Sequence, residues 1–365
     1  MTIAAIFLAL VVGALLIIFS TPEVIESLKY FFTYPWDFFK FAGQAVWDGY
    51  SALVRGSVGS WSAIETTLER AAPLICAGLG VSLAFRAGMF NIGAQGQMLL
   101  GAILAGYIGF HYDLPPGLHL LLALAGALIA GGLWGAIAGA LKAYTGAHEV
   151  ISTIMLNYVA RFLLLWLLAK DAFQRPGSDN LLSPPVNDSA TFPEIAGVHT
   201  GVLLAFVAAA GVWWLLDRST LGFELRAVGA NPDAARTAGM NVKKVYILAM
   251  AVAGVLAGLA AAMQILGHHD PLNESIAGTV GFDAITVALL GRATPLGTVL
   301  AGLLFGALSA GGLAMQGSAG IPPEIAQVLQ ALIVLFVAAP ALVRGVLRMR
   351  AAADSGAVMA KGWGG

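Results

Sequence analysis

The chain has 365 residues, of which 59% are hydrophobic and 11% are charged, and its formal net charge at pH 7 is -1. A soluble domain carries about 25% charged residues, so this composition excludes a water-facing surface over the whole chain. The mean hydropathy of +0.84 is that of a strongly apolar chain. The 45 glycines are spread through apolar runs, which favours close helix packing in lipid. The sequence predicts an all-α, polytopic membrane protein with one membrane-spanning domain over residues 1–365.

About twenty apolar residues are needed to span a bilayer. The candidate spans lie at residues 2–20, 71–86, 92–110, 117–141, 150–169, 200–216, 245–266, 281–291, 296–314 and 324–343, which makes about ten. The first of them resembles a signal peptide in its apolar character. It lacks a basic amino-terminal region and an A-x-A-like cleavage site, so we interpret it as an uncleaved span.

The distribution of Lys and Arg predicts the orientation, because basic residues concentrate in short cytoplasmic loops. With the amino terminus inside, the basic residues on the cytoplasmic side are Arg86, Lys142, Arg218, Arg226, Arg236, Lys243, Lys244, Arg292, Arg344, Arg348 and Arg350. The external segments, at 30–60, 111–116, 170–199 and 268–275, contain few basic residues for their length. We therefore expect both termini in the cytoplasm.

Residues 21–70 form a long segment between the first two predicted spans. Many aromatic residues lie within its 30–60 portion, among them Trp36, Phe39 and Trp47. Because amphipathic rings settle at the headgroup level, we expect this segment to lie along the outer membrane interface. Anchoring is favoured over an aromatic ligand-binding box.

The sequence contains an internal duplication. In the first copy, within residues 71–169, Asn91 opens an apolar run, and in the second copy, within residues 245–343, Asp283 occupies the corresponding place. In the orientation above, the first copy starts inside and the second starts outside. This pattern predicts two inverted repeats, an arrangement that many transporters use to place a substrate path between two halves.

Residues 217–244 form the largest cytoplasmic segment between spans. Within it, Asn231 is suited to cap a short helix, Pro232 to begin it and Gly239 to end it in a left-handed conformation. A helix of about two turns is not stable alone, so we expect it to pack against another surface. The alternative is an ordinary basic loop of the kind that the positive-inside rule produces.

Four stretches together carry a family resemblance. They are FRAGMFNIGAQGQ (85–97), HEVISTIMLNYVA (148–160), GFELRAVGANPDAARTAGMN (222–241) and GFDAITVALLG (281–291). Over about residues 50–345 the chain resembles the branched-chain amino acid, simple-sugar and nucleoside permease superfamily of ABC importers, and in particular its nucleoside and simple-sugar branch. The aromatic amino-terminal segment resembles the longer of the two permeases in nucleoside systems. Gln95 departs from the pattern, since a glutamate is commoner there.

The resemblance implies a permease subunit in the bacterial cytoplasmic membrane that forms the translocation pathway for nucleosides or related small polar solutes and has no catalytic residues. Its implied partners are a second, shorter permease in a heterodimer, a tandem-domain ATPase subunit, an external lipid-anchored substrate-binding protein and membrane lipid. No cofactor, metal or nucleic acid is expected. The residues implied in coupling to the ATPase are Glu224, Arg226, Gly229, Asn231, Pro232, Ala234, Ala235, Arg236 and Gly239.

Polar and aromatic residues within the spans are the candidates for the substrate pathway. They are Phe90, Asn91, Gln95, Gln97, Asn157, Tyr158, Phe282, Asp283 and Thr286. Uncompensated polar groups are costly in lipid, so these should face the bundle interior or a watered cavity. Amides, one carboxylate and aromatic rings match the hydroxyls, base edges and flat face of a nucleoside. Alternatively, the amides cap half-helices and hold the spans together.

Other classes of protein explain fewer of these features. A channel does not need a capped cytoplasmic helix, and a membrane-embedded enzyme needs a catalytic constellation such as H-E-x-x-H, which the sequence lacks. A secondary transporter fits the inverted repeats and intramembrane polar groups equally well. A simple-sugar ABC permease also stays open as an alternative.

Overall fold

The chain is helical along most of its length, and a computed structural model describes residues 2–268, 270–322, 324–339 and 343. The described helices are α1 (Thr2–Ser20), α2 (Pro22–Leu28), α3 (Pro35–Val58), α4 (Trp61–Arg86), α5 (Ala94–His111), α6 (Leu118–Thr145), α7 (Glu149–Leu168), α8 (Gly201–Arg218), α9 (Thr220–Ala230), α10 (Pro232–Thr237), α11 (Val242–Gly267), α12 (Val280–Leu290), α13 (Pro295–Ala319) and α14 (Glu324–Ala338). Between α7 and α8 lie a 3-10 turn at Asp188–Ala190 and a hairpin of β1 (Glu194–Ile195) and β2 (Val198–His199). The predicted all-α fold is confirmed.

Six of the described helices, namely α4, α6, α7, α8, α11 and α13, are long and apolar enough to cross a membrane. Residues Ala4–Ser20 and Pro22–Leu28 form a pair bent by 74°, which brings the count to seven if the pair is one span. The protein is therefore polytopic. Each of the ten predicted spans overlaps a helix, but α12 and α14 are shorter, so the count of ten stays a prediction. Residues 340–342 of the last predicted span, and Arg344, Arg348 and Arg350, lie outside the described residues.

The boundary before the second predicted span is wrong by ten residues. That span was predicted to begin at residue 71, whereas α4 begins at Trp61. Ser60 caps the helix, with its side chain accepting a hydrogen bond of 3.1 Å from the Ala63 N–H. The first turns of α4 carry charged residues, so a hydropathy pattern excludes them even though the backbone is already helical.

The described residues divide into two compact units, one within residues 1–47 and 324–365 and the other over residues 48–323. In the first unit, α1 packs against α14. In the same unit, Phe31 makes an edge-to-face contact with Phe38, with ring centroids 5.6 Å apart. The single-domain organisation and the interfacial location of the aromatic segment stay predictions.

Within the second unit, helices from the two predicted repeats exchange partners. Helix α11 packs against α5 and α6, and α4 packs against α12 and α13. The seam between α6 and α11 is lined with glycine, and a Cβ added at Gly135 would collide with the Met250 carbonyl oxygen. This backbone-to-backbone approach is what small residues permit between membrane helices. Cys76 is buried in the same unit.

The hairpin before α8 buries a histidine. His199 is 2% exposed, and its ring stacks on Phe192 with centroids 5.8 Å apart. Burial, reinforced by the neighbouring His268, lowers the pKa of His199 to about 4. The imidazole is therefore neutral at pH 7 in its buried position before α8.

Candidate functional site

A cavity of about 1100 Å³ lies within the second unit. Its walls are formed by the start of α5, the middle of α7, the loop at 179–182 and the segment that leads into α12. The lining residues are Ile92, Gln95, Leu99, Ile154, Asn157, Tyr158, Arg161, Leu165, Asp179, Asn180, Leu181, Leu182, Asn273, Glu274, Ser275, Gly278 and Phe282. Apolar, aromatic, amide and charged groups thus meet in one space, which is the composition of a small-molecule site.

The cavity exists because the chain is not helical just before α5. Residues 89–92 lie outside regular structure, which leaves backbone groups without intrahelical partners. Asn157 satisfies two of them, since its Oδ1 accepts from the Gly96 N–H at 2.8 Å and its Nδ2 donates to the Ile92 carbonyl at 2.9 Å. One amide on α7 therefore holds the first turn of α5 in place.

Two further amide contacts support the same break. Asn91 and Gln97 are buried and bond to each other, with Asn91 Nδ2 donating to Gln97 Oε1 at 3.1 Å. Gln95 bridges to the segment before α12, because its Nε2 donates to the Gly278 carbonyl at 2.9 Å and its Oε1 accepts from the Gly281 N–H at 3.0 Å. This double contact uses both ends of an amide, whereas the glutamate expected from the family pattern could not donate to the carbonyl when ionised.

Four of the nine predicted pathway residues line the cavity, namely Gln95, Asn157, Tyr158 and Phe282. The rings of Tyr158 and Phe282 are about half exposed, at 50% and 49%, so they are available to contact a molecule in the cavity.

The other five predicted residues are not among those that line the cavity. Phe90 packs on Phe85, with centroids 4.8 Å apart, and Asn91 and Gln97 lie in the wall behind the surface. Asp283 Oδ2 accepts from Thr279 Oγ1 at 2.7 Å, and Thr286 Oγ1 donates to the Asp283 carbonyl at 2.9 Å. Their contact with cargo stays a prediction.

The charged groups of the cavity were not among the predicted pathway residues. Arg161 on α7 pairs with Glu274, through Nε at 3.0 Å and through Nη2, both to Oε1. The sequence signal that could have found this pair was the position of Arg161 inside a predicted span, where a charge needs a partner. Its partner Glu274 lies 113 residues away, in a loop whose position relative to α7 a hydropathy pattern does not predict.

The predicted short helix in the 217–244 segment is confirmed as α10. Asn231 Oδ1 accepts from the N–H groups of Asp233 and Ala234, both at 3.0 Å, and Pro232 occupies the first turn. Gly239 follows the helix in a left-handed conformation with φ +88°. The capping residues predicted from the sequence therefore define both ends of α10.

One face of α10 is packed and the other is free. Ala235 is 4% exposed and belongs to the hydrophobic core of the second unit. The side chains of Asp233 and Arg236 pair with each other at 3.0 Å and are 85% and 67% exposed. Ala234 lies on the same exposed side. The exposed face of α10 is therefore the one opposite Ala235.

The remaining residues predicted for coupling lie on α9, between α8 and α10. Gly229 meets the carboxyl end of α4, where a Cβ would collide with the Arg86 carbonyl oxygen. Arg226 lies 3.8 Å from Asp217, and Glu224 is half-buried. Arg86 in turn donates from Nε to the Ala293 carbonyl at 2.8 Å, in the turn between α12 and α13. Helix α9 is thus in contact with α4, which contacts the helix that carries Phe282.

Among the side chains that the structure describes, no group of three or more His, Cys, Asp or Glu residues is arranged to hold a metal ion.

Apolar spans, a polar cavity and a capped loop helix agree with a membrane transport protein. The chain matches the model of the family described as branched-chain amino acid transport system, permease component, over residues 63–338. It belongs to this family. It is therefore a multi-pass membrane subunit of an ABC transporter and not an enzyme, and the resemblance drawn from its motifs is confirmed.

Curated relatives agree with this assignment. The chain is 42% identical to the guanosine ABC transporter permease protein NupP of Bacillus subtilis, over 84% of this chain and 89% of the relative. It is 35% identical to the glucose ABC transporter permease protein TsgB13 of Haloferax volcanii, over 79% of both chains. It is also 27% identical to a second guanosine permease of B. subtilis, NupQ, over 67% of this chain and 79% of the relative.

Proposed function

We propose that the chain forms the translocation pathway for nucleosides in an ATP-driven importer. The observation that carries the proposal is the pair of half-exposed rings, Tyr158 and Phe282, in a cavity that also contains a charged pair. A purine or pyrimidine base offers a flat face to such rings, and a ribose offers hydroxyls to the charged groups. The similarity to NupP, a relative named for guanosine, supports the same cargo.

A simple sugar is the second candidate, favoured by the similarity to a permease named for glucose. Sugars also stack on aromatic side chains and bond to carboxylates. The discriminating property is the base, because a free sugar has no extended planar face. Nucleoside cargo therefore depends on both rings more strongly than a sugar does.

The test is uptake competition in cells that contain the complete transporter. Radiolabelled guanosine should be displaced by excess nucleosides, and less by free bases, ribose, glucose or leucine. Displacement by glucose or ribose, with none by any nucleoside, would assign the protein to the sugar branch.

Site variants connect this cargo to the cavity. Tyr158→Ala and Phe282→Ala should each lower the guanosine uptake rate about tenfold, since loss of a stacking aromatic costs about 1–3 kcal/mol. Trp214→Ala is the matched control, because Trp214 is an exposed aromatic on α8 that is not among the cavity-lining residues. Equal guanosine uptake by all three variants would show that the two rings are not part of the pathway.

We propose the partners and the location on the same grounds. Two B. subtilis permeases that are both named for guanosine match this chain, which supports a heterodimer with a second permease. We assign the exposed face of α10 to a tandem-domain ATPase, and an external lipid-anchored binding protein delivers the cargo. The complex lies in the bacterial cytoplasmic membrane with both termini inside, as the distribution of Lys and Arg favours.

A further inference from the structure

The charged pair in the cavity has hydrogen-bonding capacity left over. Both contacts from Arg161, through Nε and Nη2, go to Glu274 Oε1. Among the described residues, no hydrogen-bond partner lies on Glu274 Oε2 or on Arg161 Nη1. The two side chains are 50% and 49% exposed, and both line the cavity. A free acceptor and a free donor are therefore held side by side on the cavity surface.

The amide side chains of the cavity have little hydrogen-bonding capacity left for cargo. Both ends of the Gln95 and Asn157 side chains already bond to backbone groups of the wall. Recruiting either amide for cargo would leave a backbone group unpaired in the membrane interior, which costs free energy. The charged pair is free of that restriction, since a bound molecule can use Oε2 and Nη1 without breaking the ion pair.

We propose that Arg161 and Glu274 are the specificity-determining pair of this site, with Glu274 Oε2 accepting hydrogen bonds from the vicinal hydroxyls of a ribose. The proposal rests on the nucleoside function assigned above. A carboxylate oxygen is a strong acceptor for hydroxyl donors. The 2′- and 3′-hydroxyls of a ribonucleoside supply two of them, and Nη1 donates to an oxygen of the same sugar or of the base.

The pair also predicts which charge state of the cargo is favoured. Its net charge is zero, so a neutral nucleoside binds without leaving an uncompensated charge in the cavity. A phosphorylated nucleoside would compete with Glu274 for Arg161 and would be repelled by Glu274 and by Asp179, which also lines the cavity. The site therefore favours nucleosides over nucleotides.

The experiment compares guanosine with 2′-deoxyguanosine in proteoliposomes that contain the complete transporter. The binding protein is kept saturated with each ligand, and its affinity for each is measured separately, so that uptake reports on the permease. Wild type should transport guanosine at least about tenfold faster, the scale of one charge-assisted hydrogen bond. In Glu274→Gln this ratio should fall to within about twofold of unity.

Two further variants separate recognition from a bracing role of the ion pair. Glu194→Gln removes an exposed carboxylate of β1 that does not line the cavity, and the wild-type ratio should persist. The charge-swapped double variant Arg161→Glu, Glu274→Arg restores an ion pair but moves the carboxylate to α7. If the pair recognises ribose, this variant should assemble and transport without the ribose preference.

The outcomes are distinguishable. A wild-type ratio that survives in Glu274→Gln, or that returns in the swapped variant, would reduce the pair to a brace and overturn the inference, as would a wild type that does not distinguish the two nucleosides. Absence of nucleoside uptake in wild type, with uptake of glucose, would instead overturn the proposed function on which the inference rests.

Discussion

At the scale of single residues, the side chains that line the cavity either hold its walls together or leave a ring exposed to it. Asn157 shows the first role, because its amide replaces hydrogen bonds that the broken helix cannot make for itself. Tyr158, the next residue along α7, shows the second role with a half-exposed ring. Neighbouring positions on one helix thus differ, since one side chain is bonded to the wall and the other is left exposed.

The structural role of Asn157 predicts the effect of a small chemical change. In Asn157→Asp, the ionised carboxylate still accepts from Gly96 but no longer donates to the Ile92 carbonyl. The variant should lose about 1–3 kcal/mol of stability, the cost of a buried acceptor left unpaired. Thermal unfolding of the purified complex in detergent measures this loss. Asn180→Asp changes an exposed amide and should leave the unfolding temperature unchanged; an equal shift in both variants would contradict the role given to Asn157.

The sequence predicted some residues of the cavity and not others. Among the polar and aromatic candidates inside spans, Gln95, Asn157, Tyr158 and Phe282 line a common cavity, and their role in the pathway stays a prediction. Which side of the wall each residue occupies was not predictable, since it depends on where α7 meets the start of α5. The Arg161–Glu274 contact joins residues 113 positions apart, and no local pattern encodes such a pairing.

At the scale of elements, local capping residues predicted both ends of α10, whereas hydropathy did not predict where α4 begins. Asn231, Pro232 and Gly239 define α10 because caps act within a few residues of the backbone that they satisfy. The start of α4 at Trp61 was missed because its first turns are polar, so hydropathy and helicity change at different positions. Helix α4 packs with α12 and α13, and α11 packs with α5 and α6; the duplication itself stays a prediction.

An Ala→Glu substitution should have different effects on the two faces of α10. Ala234→Glu places a carboxylate on the exposed face, where it should uncouple ATP hydrolysis from uptake while the permease keeps its unfolding temperature. Ala235→Glu buries a carboxylate among apolar side chains and should destabilise the permease itself by several kcal/mol. The measurements are transport-stimulated ATP hydrolysis and thermal unfolding of the complex.

Ala172→Glu, in the exposed loop after α7, is the matched control and should change neither quantity. If Ala234→Glu preserves coupling at wild-type stability, the exposed face of α10 is not the ATPase docking surface.

At the scale of the whole molecule, the family and the physical character of the chain agree. The low charged fraction requires a membrane, the apolar helices provide the spans, and the family match over residues 63–338 identifies a transport permease. The inverted orientation of the repeats and the cytoplasmic location of both termini stay predictions. Hydropathy defines segments, but the number and direction of crossings also depend on partners and lipid.

The most direct measurement of the central claim is guanosine accumulation in proteoliposomes that contain the complete transporter. ATP is supplied on the side that exposes α10, and no ion gradient is imposed. The account predicts accumulation that requires ATP hydrolysis, stops with vanadate and continues in the presence of a protonophore. Accumulation that proceeds without ATP and collapses with the protonophore would contradict it and identify a secondary transporter.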